Sequence, residues 1–172
     1  MPTSRTYSRA RAGGVGTFAV QVAKSYGAEV TGVCSTKNLE LVRSLGAEHV
    51  IDYTQEDFTQ KEQRYDLILD NVANRSISDY TRALSPKGNY VAVAFNMRAL
   101  ISMTGNKKAS QLSHKPNVKD LVYMKELIEA GKVVPVIDRR FPLSEIGEAF
   151  RYFEEGHPQG KVVITVEHNK HE

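Results

Sequence analysis

Hydrophobic and polar positions in the first half of the chain alternate between helical and strand spacing. Phe18, Val22 and Ala23 recur at helical spacing and predict a first helix that ends at Gly27. Further elements are predicted, with helices over residues 38–45 and 76–84, strands over 29–33, 50–51, 65–72 and 90–95, and a turn over 86–88. This alternation is typical of an α/β protein with a doubly wound parallel sheet.

The pattern changes after residue 95. Residues 97–117 are basic and show no periodicity. The elements predicted beyond them are a helix over 118–130 ended by Gly131, a short strand over 133–137 around Pro135, a helix over 144–155 with Ser144 as N-cap, and a strand over 161–166. We expect this part to be organised differently from the alternating first half.

A glycine-rich turn at Gly13, Gly14, Val15 and Gly16 stands directly before the first helix. Glycines let the backbone approach a pyrophosphate, and a helix N-terminus offers free N–H groups and the positive end of its dipole. Surface loops also use glycine, and the full fingerprint has a further glycine near position 11, where this chain has Arg11. The position before a helix and a strand favours dinucleotide binding over a structural turn.

The segment before the turn is polar. Residues 5–10 read Arg-Thr-Tyr-Ser-Arg-Ala, whereas a central parallel strand is covered on both faces. Burial of an unpaired Arg there would cost several kcal/mol. We therefore expect a degenerate first strand that supports the turn poorly.

The end of the second predicted strand bears on the choice of cofactor. NAD enzymes usually place an acidic residue there, about 20 residues beyond the turn. This chain has Ser35, Thr36 and Lys37, and two hydroxyls with a cation suit a 2′-phosphate. NADP is therefore favoured over NAD. The alternative is that Ser35 or Thr36 only caps the following helix, and one residue can do both.

Composition narrows the class of protein. At 172 residues, with 41% hydrophobic and 25% charged residues, the chain can form one substantial globular domain, or one domain with an appendage. It has no apolar run of membrane-spanning length and no secretory signal, so no membrane partner is expected. The single cysteine, Cys34, is interpreted as a buried strand residue and fits a reducing compartment. A cytoplasmic location is predicted.

The net charge is +3, and the basic residues between 106 and 119 are interpreted as a solvated loop because no recognition motif accompanies them. No nucleic-acid partner is expected.

No catalytic constellation is found. The chain has no Ser-His-Asp spacing, no paired-carboxylate motif and no cysteine cluster for zinc, so the catalytic residues are unknown and no metal site is predicted. The scattered histidines are interpreted as surface or loop residues, namely His49, His114, His157, His168 and His171. Lys161, just inside the last strand, faces either a phosphate or ribose, or the solvent.

Short motifs recur in order along the chain, namely Gly13–Lys24, Gly27-Ala28, Ser35, Val50-Ile51-Asp52-Tyr53, Tyr65-Asp66, Asp70-Asn71-Val72, Pro86-Lys87-Gly88 and Gly160-Lys161-Val162-Val163-Ile164. Together they resemble the medium-chain dehydrogenase/reductase superfamily, in particular the zinc-independent quinone oxidoreductases and their alcohol-dehydrogenase-like relatives. The resemblance extends from about residue 10 to the C-terminus. It implies a Rossmann-type doubly wound parallel sheet.

The resemblance also implies roles for individual residues. Gly13, Gly14, Val15 and Gly16 would cradle the pyrophosphate. The other implied cofactor contacts are Ser35 and Lys37 at the 2′-phosphate, Tyr53 near the adenosine, Asn71 beside the ribose, Val93 and Ala94 behind the nicotinamide, and His157 and Gln159 in a segment that closes over the cofactor.

The resemblance further implies a division of the chain. Residues 1–131 would form the NAD(P)-binding domain, and residues 132–172 the C-terminal segment of a catalytic domain. Members of the superfamily carry an N-terminal GroES-like domain that this sequence lacks, so we expect the chain to be incomplete. Apolar side chains that pack on that domain would lack their partner and favour a homo-oligomer, namely Val134, Val136, Phe141, Phe150 and Phe153.

Three functions are considered. The first is an NADPH-dependent oxidoreductase, or the nucleotide-binding part of one, that transfers hydride to a small-molecule quinone, enone or carbonyl substrate. The second is a catalytically inactive NADP-binding or interaction module left by truncation. The third is a Rossmann-like methyltransferase, against which the glycine turn and the helix after it argue. The isolated chain is expected to show little or no turnover even when it binds NADPH.

Overall fold

Six parallel strands form the main sheet in the computed structural model, which describes residues 5–9, 14–72, 74–93, 107–112, 115–156 and 158–166. The strands are β1 (Arg5–Arg9), β2 (Glu29–Cys34), β3 (His49–Asp52), β4 (Tyr65–Asp70), β5 (Leu84–Ala92) and β6 (Ala109–Gln111). Their order is β3-β2-β1-β4-β5-β6, and all neighbouring strands are parallel. This is the strand order of the doubly wound dinucleotide-binding fold, so the predicted fold class is confirmed.

The helices connect these strands and lead into a second, smaller sheet. They are α1 (Gly14–Ser25), α2 (Leu39–Ser44), α3 (Ile77–Ala83), α4 (Val118–Glu129) and α5 (Ile146–Glu154), with 3₁₀ turns at Thr36–Asn38, Phe58–Gln60 and Leu143–Glu145. The second sheet pairs β7 (Ile137–Pro142) with β8 (Lys161–Thr165) in parallel. In the ranges given above, no helix is long and apolar enough to cross a membrane.

The polar segment before the glycine turn forms a strand. Thr6 is in register with Val30 of β2 on one side and with Leu67 of β4 on the other, so β1 lies inside the sheet. The expectation that the turn is poorly supported is therefore corrected, because a strand does precede it. This polar segment can form a strand because the main-chain N–H and C=O groups of β1 pair with β2 and β4, and this pairing does not depend on the side chains.

The core lies on both faces of the main sheet. Val30 and Cys34 of β2 pack with α1 and α2 on one face, while Val33 packs towards α3 on the other. Successive strand side chains point to opposite faces, so a strand covered on both sides is apolar throughout. Cys34 is 1% exposed, which confirms its interpretation as a buried strand residue.

The predicted turn at 86–88 lies inside a strand. β5 begins at Leu84, and its register with β4 jumps from Tyr65↔Leu84 to Leu67↔Asn89. The turn residues form the bulge between these two pairs. A Cβ at Gly88 would lie 2.5 Å from the carbonyl oxygen of Tyr65, so the bulge approaches β4 too closely for a side chain.

Three predictions for the second half of the chain are wrong. The strand expected over 133–137 lies at Ile137–Pro142. In the segment before it, the main chain of Val134 is hydrogen-bonded to the Gln21 side chain. Ser144 does not cap a helix, since it lies inside the 3₁₀ turn Leu143–Glu145 that precedes α5. The strand β6 falls within the segment expected to be irregular, because three residues, Ala-Ser-Gln, carry no apolar pattern.

Candidate functional site

The carboxyl ends of the parallel strands define one edge of the main sheet. Register pairs between the final residues of neighbouring strands place these ends side by side, namely Arg9↔Asp70, Cys34↔Asp52 and Asp70↔Ala92. Four predicted cofactor residues follow directly at this edge, namely Ser35, Tyr53, Asn71 and Val93. Ligands of open α/β sheets bind outside this edge. Gly13, Ala94 and His157 lie outside the described residues.

The helix α1 begins at Gly14, at the same edge. It is a 12-residue helix with no acidic residue in its first turn. Val15 is exposed, whereas Gly16 and Thr17 are buried. The first N–H groups of a helix and the positive end of its dipole attract an anion.

The side chain of Lys161 lies over the start of α1. A Cβ at Gly14 would lie 2.7 Å from the Lys161 Nζ, and Nζ is 5.7 Å from the centre of the Phe18 ring. Lys161 as a whole is exposed, so the two alternatives, that it faces a phosphate or ribose and that it faces the solvent, both stay predictions. Its ammonium adds a full charge to the partial charge of the helix end.

Ser35 is oriented by a buried neighbour. Asn38, which is 5% exposed, donates its Nδ2–H to the Ser35 Oγ over 3.1 Å. Ser35 occupies the N-cap position of the Thr36–Asn38 turn but makes no side-chain capping bond. The alternative that Ser35 only caps the helix is therefore not what the structure contains. Lys37, two residues on, is exposed.

A carboxylate to which the sequence motifs assign no role lies beside these hydroxyls. Asp52 ends β3 and accepts hydrogen bonds from the hydroxyls of Thr36 (2.5 Å) and Thr54 (2.7 Å) and from the Thr54 N–H (2.9 Å). The hydrogen bond from Thr36, followed by those from Thr54, holds the pKa of Asp52 below its usual range. Thr36 is thus committed to Asp52. The position of Asp52 at a strand end was the available signal.

The end of β4 contains two polar residues with different surroundings. Asp70 is fully buried, and its carboxylate accepts from the Val72 N–H (3.0 Å) and the Tyr90 hydroxyl (3.1 Å). The Oδ1 and Nδ2 atoms of Asn71 are both buried and have no hydrogen-bond partner in the part of the chain described. Buried polar atoms are rarely left unpaired, so Asn71 is suited to bind a polar ligand.

The turn that contains Gln159 is tied to the small sheet. The Gln159 N–H donates to the Asp138 Oδ2 over 3.1 Å, and the Tyr152 hydroxyl donates to the same oxygen over 2.5 Å. The hydrogen bond to Asp138 raises the pKa of the Tyr152 phenol. The Arg139 guanidinium lies 4.1 Å from the centre of the Tyr152 ring. These contacts fix the main chain directly before Lys161.

An apolar groove of about 240 Å³ opens between α5 and β8. It is lined by Ala149, Phe150, Phe153, Val162 and Ile164. Phe150 and Phe153 are 61% and 59% exposed. Of the five side chains expected to lack a partner, Val134, Phe150 and Phe153 are exposed, whereas Val136 and Phe141 are half-buried. The groove offers surface for contact but no polar group for chemistry.

No candidate metal centre emerges. Within the described ranges, no three His, Cys, Asp or Glu side chains lie together in a way that could hold a metal ion. His49 lies at the surface as predicted, with its Nε2 3.0 Å from the Glu29 carboxylate. His114, His168 and His171 belong to segments that are not described. That the protein works without zinc stays a prediction.

Comparison with known proteins gives consistent matches. The family model for zinc-binding dehydrogenases matches residues 45–164. The chain is 38% identical to the mitochondrial NAD(P)H oxidoreductase RTN4IP1 of Mus musculus, over 90% of this chain and 46% of that protein. It is 36% identical to the chloroplastic NADPH-dependent alkenal/one oxidoreductase of Arabidopsis thaliana, over 89% of this chain and 38% of that protein.

A solved structure agrees with these matches. The quinone oxidoreductase from Coxiella burnetii superposes with a TM-score of 0.82 at 31% identity, and the match covers 95% of this chain and 53% of that chain. The chain thus spans about half the length of the relatives it matches.

The predicted cytoplasmic location is wrong. The two curated relatives named above are mitochondrial and chloroplastic by name, and neither is cytoplasmic. The prediction rested on one cysteine, and a single buried cysteine cannot form an internal disulfide in any compartment. The number of cysteines therefore does not indicate the subcellular location of this protein.

Proposed function

We propose, since the chain belongs to the zinc-binding dehydrogenase family of the medium-chain dehydrogenase/reductase superfamily, that it forms the nucleotide-binding part of an NADPH-dependent oxidoreductase. The substrate is a quinone, an enone or another small carbonyl compound. By their names, the related proteins described above are an NAD(P)H oxidoreductase, an NADPH-dependent alkenal/one oxidoreductase and a quinone oxidoreductase. When bound, the dinucleotide supplies the hydride.

The observation that carries the proposal is the position of Lys161 over the glycine turn. The ammonium lies against Gly14, where α1 presents its N-terminal N–H groups. Both partners would stabilise a pyrophosphate, because the partial charge of a helix end and the full charge of the ammonium both attract an anion. The absence of a Cβ at Gly14 leaves room for Nζ and for the phosphates. These residues fit a dinucleotide.

Preference for NADP over NAD rests on the end of β2. The Ser35 oxygen accepts from Asn38, so its own hydrogen remains for a phosphate oxygen. Lys37 adds an exposed positive charge at the surface. Hydrogen bonds from Thr36 and Thr54 hold the nearby Asp52 in its ionised form. Its negative charge opposes a 2′-phosphate, and the Lys37 cation has to offset it.

The remaining contacts follow the sheet edge. Tyr53, after β3, is assigned to the adenosine side, and Asn71 supplies to the ribose two amide atoms that have no partner among the described residues. Val93 and Ala94 are assigned to the back of the nicotinamide. His157 and Gln159 belong to the segment over the cofactor, which Asp138 anchors. Gly13, Gly14, Val15 and Gly16 complete the phosphate turn.

The chain divides into two functional parts in this proposal. Residues 1–131 bind the cofactor, and residues 132–172 form the C-terminal segment of a catalytic domain. The segment carries Lys161 back to the phosphate turn. Neither nucleic acid nor a membrane is a partner in this proposal.

A binding experiment tests the proposal. Calorimetric titration of the chain with NADPH and NADH is expected to show that NADPH binds about tenfold more tightly, because NADH cannot make the charge-assisted hydrogen bonds to a 2′-phosphate. Lys161→Met should weaken the binding of both nucleotides equally, because both carry the pyrophosphate. Lys125→Met is the control, since Lys125 pairs with Glu129 on the exposed face of α4. Equal or tighter binding of NADH contradicts the assignment of the 2′-phosphate site.

A binding or interaction module without turnover is the second candidate. The apolar groove beside Phe150 and Phe153 favours it, because such surface is used for contact. Oxidation of NADPH with a quinone tests the second candidate. Little or no turnover by the isolated chain is expected from both candidates, and robust turnover contradicts the second candidate and this expectation.

A further inference from the structure

Gln21 makes an unusual set of hydrogen bonds for a helix residue. It lies in α1 and is 6% exposed. Its Oε1 accepts from the Val134 N–H over 2.7 Å, and its Nε2 donates to the Val134 carbonyl over 3.0 Å. Nε2 also donates to the Thr17 carbonyl over 3.0 Å. The amide thus holds both main-chain groups of one residue 113 positions away.

This clamp replaces a strand neighbour for the returning chain. Pro135 has no N–H to offer a ladder, and Val134 is paired with a side chain instead of a strand. The segment therefore enters the small sheet only at Ile137. An amide is suited to this role, because it offers a donor and an acceptor side by side, as a peptide group does.

The clamped segment in turn positions Lys161. The Val136 carbonyl, two residues after Val134, accepts from the Lys161 N–H over 2.8 Å. Gly160 packs against the same carbonyl so closely that a Cβ there would lie 2.4 Å from it. The Lys161 main chain is therefore fixed relative to Val134.

The contacts form a closed loop. Gln21 lies seven residues after Gly14 on the same helix, about 10 Å along its axis. From Gln21 the contacts run through Val134 and Val136 to Lys161, whose Nζ returns to Gly14. One rigid helix thus carries both the phosphate turn and the side chain that holds the cation over it.

We infer that Gln21 is a positioning residue for anion binding, which sets the place of the Lys161 ammonium over the phosphate turn through the clamp on Val134. The inference rests on the proposed nucleotide-binding function. Gln21 touches no nucleotide in this scheme and acts through Lys161. Loss of the clamp frees residues 134–136, and Nζ no longer lies against Gly14.

A double-mutant cycle separates this role from a structural one. Gln21→Met keeps the volume of the side chain and removes its hydrogen bonds. It should weaken NADPH binding about tenfold in the native background and less than about twofold in the Lys161→Met background. An equal loss in both backgrounds overturns the inference. Val20→Ala is the control, because Val20 is a buried residue of α1 that packs in the core with Val30 and Val42, and it should lower the melting temperature while NADPH affinity stays.

A second measurement does not need the nucleotide. Reductive ¹³C-methylation of the lysines, with the Lys161 resonance assigned by its loss in Lys161→Met, reports the place of Nζ near the Phe18 ring. In Gln21→Met this resonance should move to the position of the exposed lysines. An unchanged resonance overturns the inference. A shifted resonance with no NADPH binding by the native chain supports the positioning by Gln21 and contradicts the proposed function.

Discussion

Asn38 donates its side-chain amide hydrogen to the hydroxyl oxygen of Ser35 across 3.1 Å, from a position almost fully covered by protein. An hydroxyl that accepts in this way directs its own hydrogen to another acceptor. Asn38 itself follows the exposed Lys37 in the short turn after β2. The turn therefore presents one oriented donor and one exposed cation at the sheet edge.

Loss of this oriented donor should reduce the preference for NADPH. Ser35→Ala removes a hydrogen bond to a charged group, worth about 1.5–3 kcal/mol, so NADPH affinity should fall about tenfold or more. Asn38→Leu keeps the volume and should produce a smaller loss of the same kind. NADH affinity should stay unchanged in both. Calorimetric titration measures all four values, and Ser44→Ala, on the exposed side of α2, is the control. A parallel loss of NADH affinity would contradict the assignment.

Substitution of Gly14 should separate binding from stability. A Cβ there meets only the flexible end of Lys161, so Gly14→Ala displaces the ammonium without disturbing the core. Affinity for both nucleotides should fall, while the free energy of unfolding stays the same or rises by up to about 1 kcal/mol from helix propensity. Gly27→Ala should behave in the opposite way. Gly27 has a φ of +76°, so the alanine costs about 1 kcal/mol and leaves binding intact. Thermal melts and titrations check both.

Cys34 should be protected from thiol reagents in the native chain. Burial, and then the neighbouring Asp52 carboxylate, raise the pKa of the thiol to about 11. At pH 8 a disulfide-exchange reagent should leave the folded chain unlabelled and label one thiol when denaturant is added, since the chain has one cysteine. The folded state holds its proton more tightly, so this contribution to stability is lost as pH rises from about 9 through about 11. Rapid labelling without denaturant would refute the prediction.

Asp57 should contribute to acid sensitivity. Burial alone would raise its pKa, but hydrogen bonds from Thr59 and Arg75 outweigh burial and lower it. The stabilisation is therefore present above the ordinary carboxyl pKa of about 4 and is lost as pH falls through the lower folded value. Asp57→Asn should cost about 1 kcal/mol at pH 7, because the pair is partly exposed, and should make the acid branch of the stability curve shallower. Glu62→Gln, at an exposed position, should leave that branch unchanged in denaturant titrations.

The apolar groove should drive self-association of the isolated chain. Phe150 and Phe153 are largely exposed and line it with Val162 and Ile164. Sedimentation velocity should detect species larger than the monomer, and Phe150→Ser with Phe153→Ser should shift them towards the monomer. Val118→Ser on α4 is the matched control, since Val118 is exposed outside the groove. A monomer at all concentrations would contradict the prediction.

The parts of the fold that follow from local pattern could be predicted. The helix ends at Gly27 and Gly46, where φ is +76° and +98°, and the two-sided burial of β2 both follow from residue type and spacing. The bulge at Gly88 could not be predicted, because it depends on how β5 approaches the Tyr65 carbonyl. The residues that indicate a turn at 86–88 are equally compatible with a loop and with a bulge inside a strand.

The candidate site divides in the same way. The glycine turn and Ser35 are visible as motifs in the sequence. The destination of Lys161 depends on the clamp between Gln21 and Val134, which joins residues far apart in the chain. Asn38 acts through a hydrogen bond that no spacing rule indicates. Contacts between a side chain and a main-chain group far away in the sequence cannot be predicted from the local sequence pattern.

The central place of β1 has a consequence for how the chain folds. Thr6 cannot meet its second neighbour until Leu67 has been synthesised. Until then β1 is at best an edge strand with one open row of hydrogen-bonding groups, which invites pairing with other chains. Such non-local pairing is slow. During synthesis β1 therefore waits for β4, and a longer delay between the two exposes the open edge for longer.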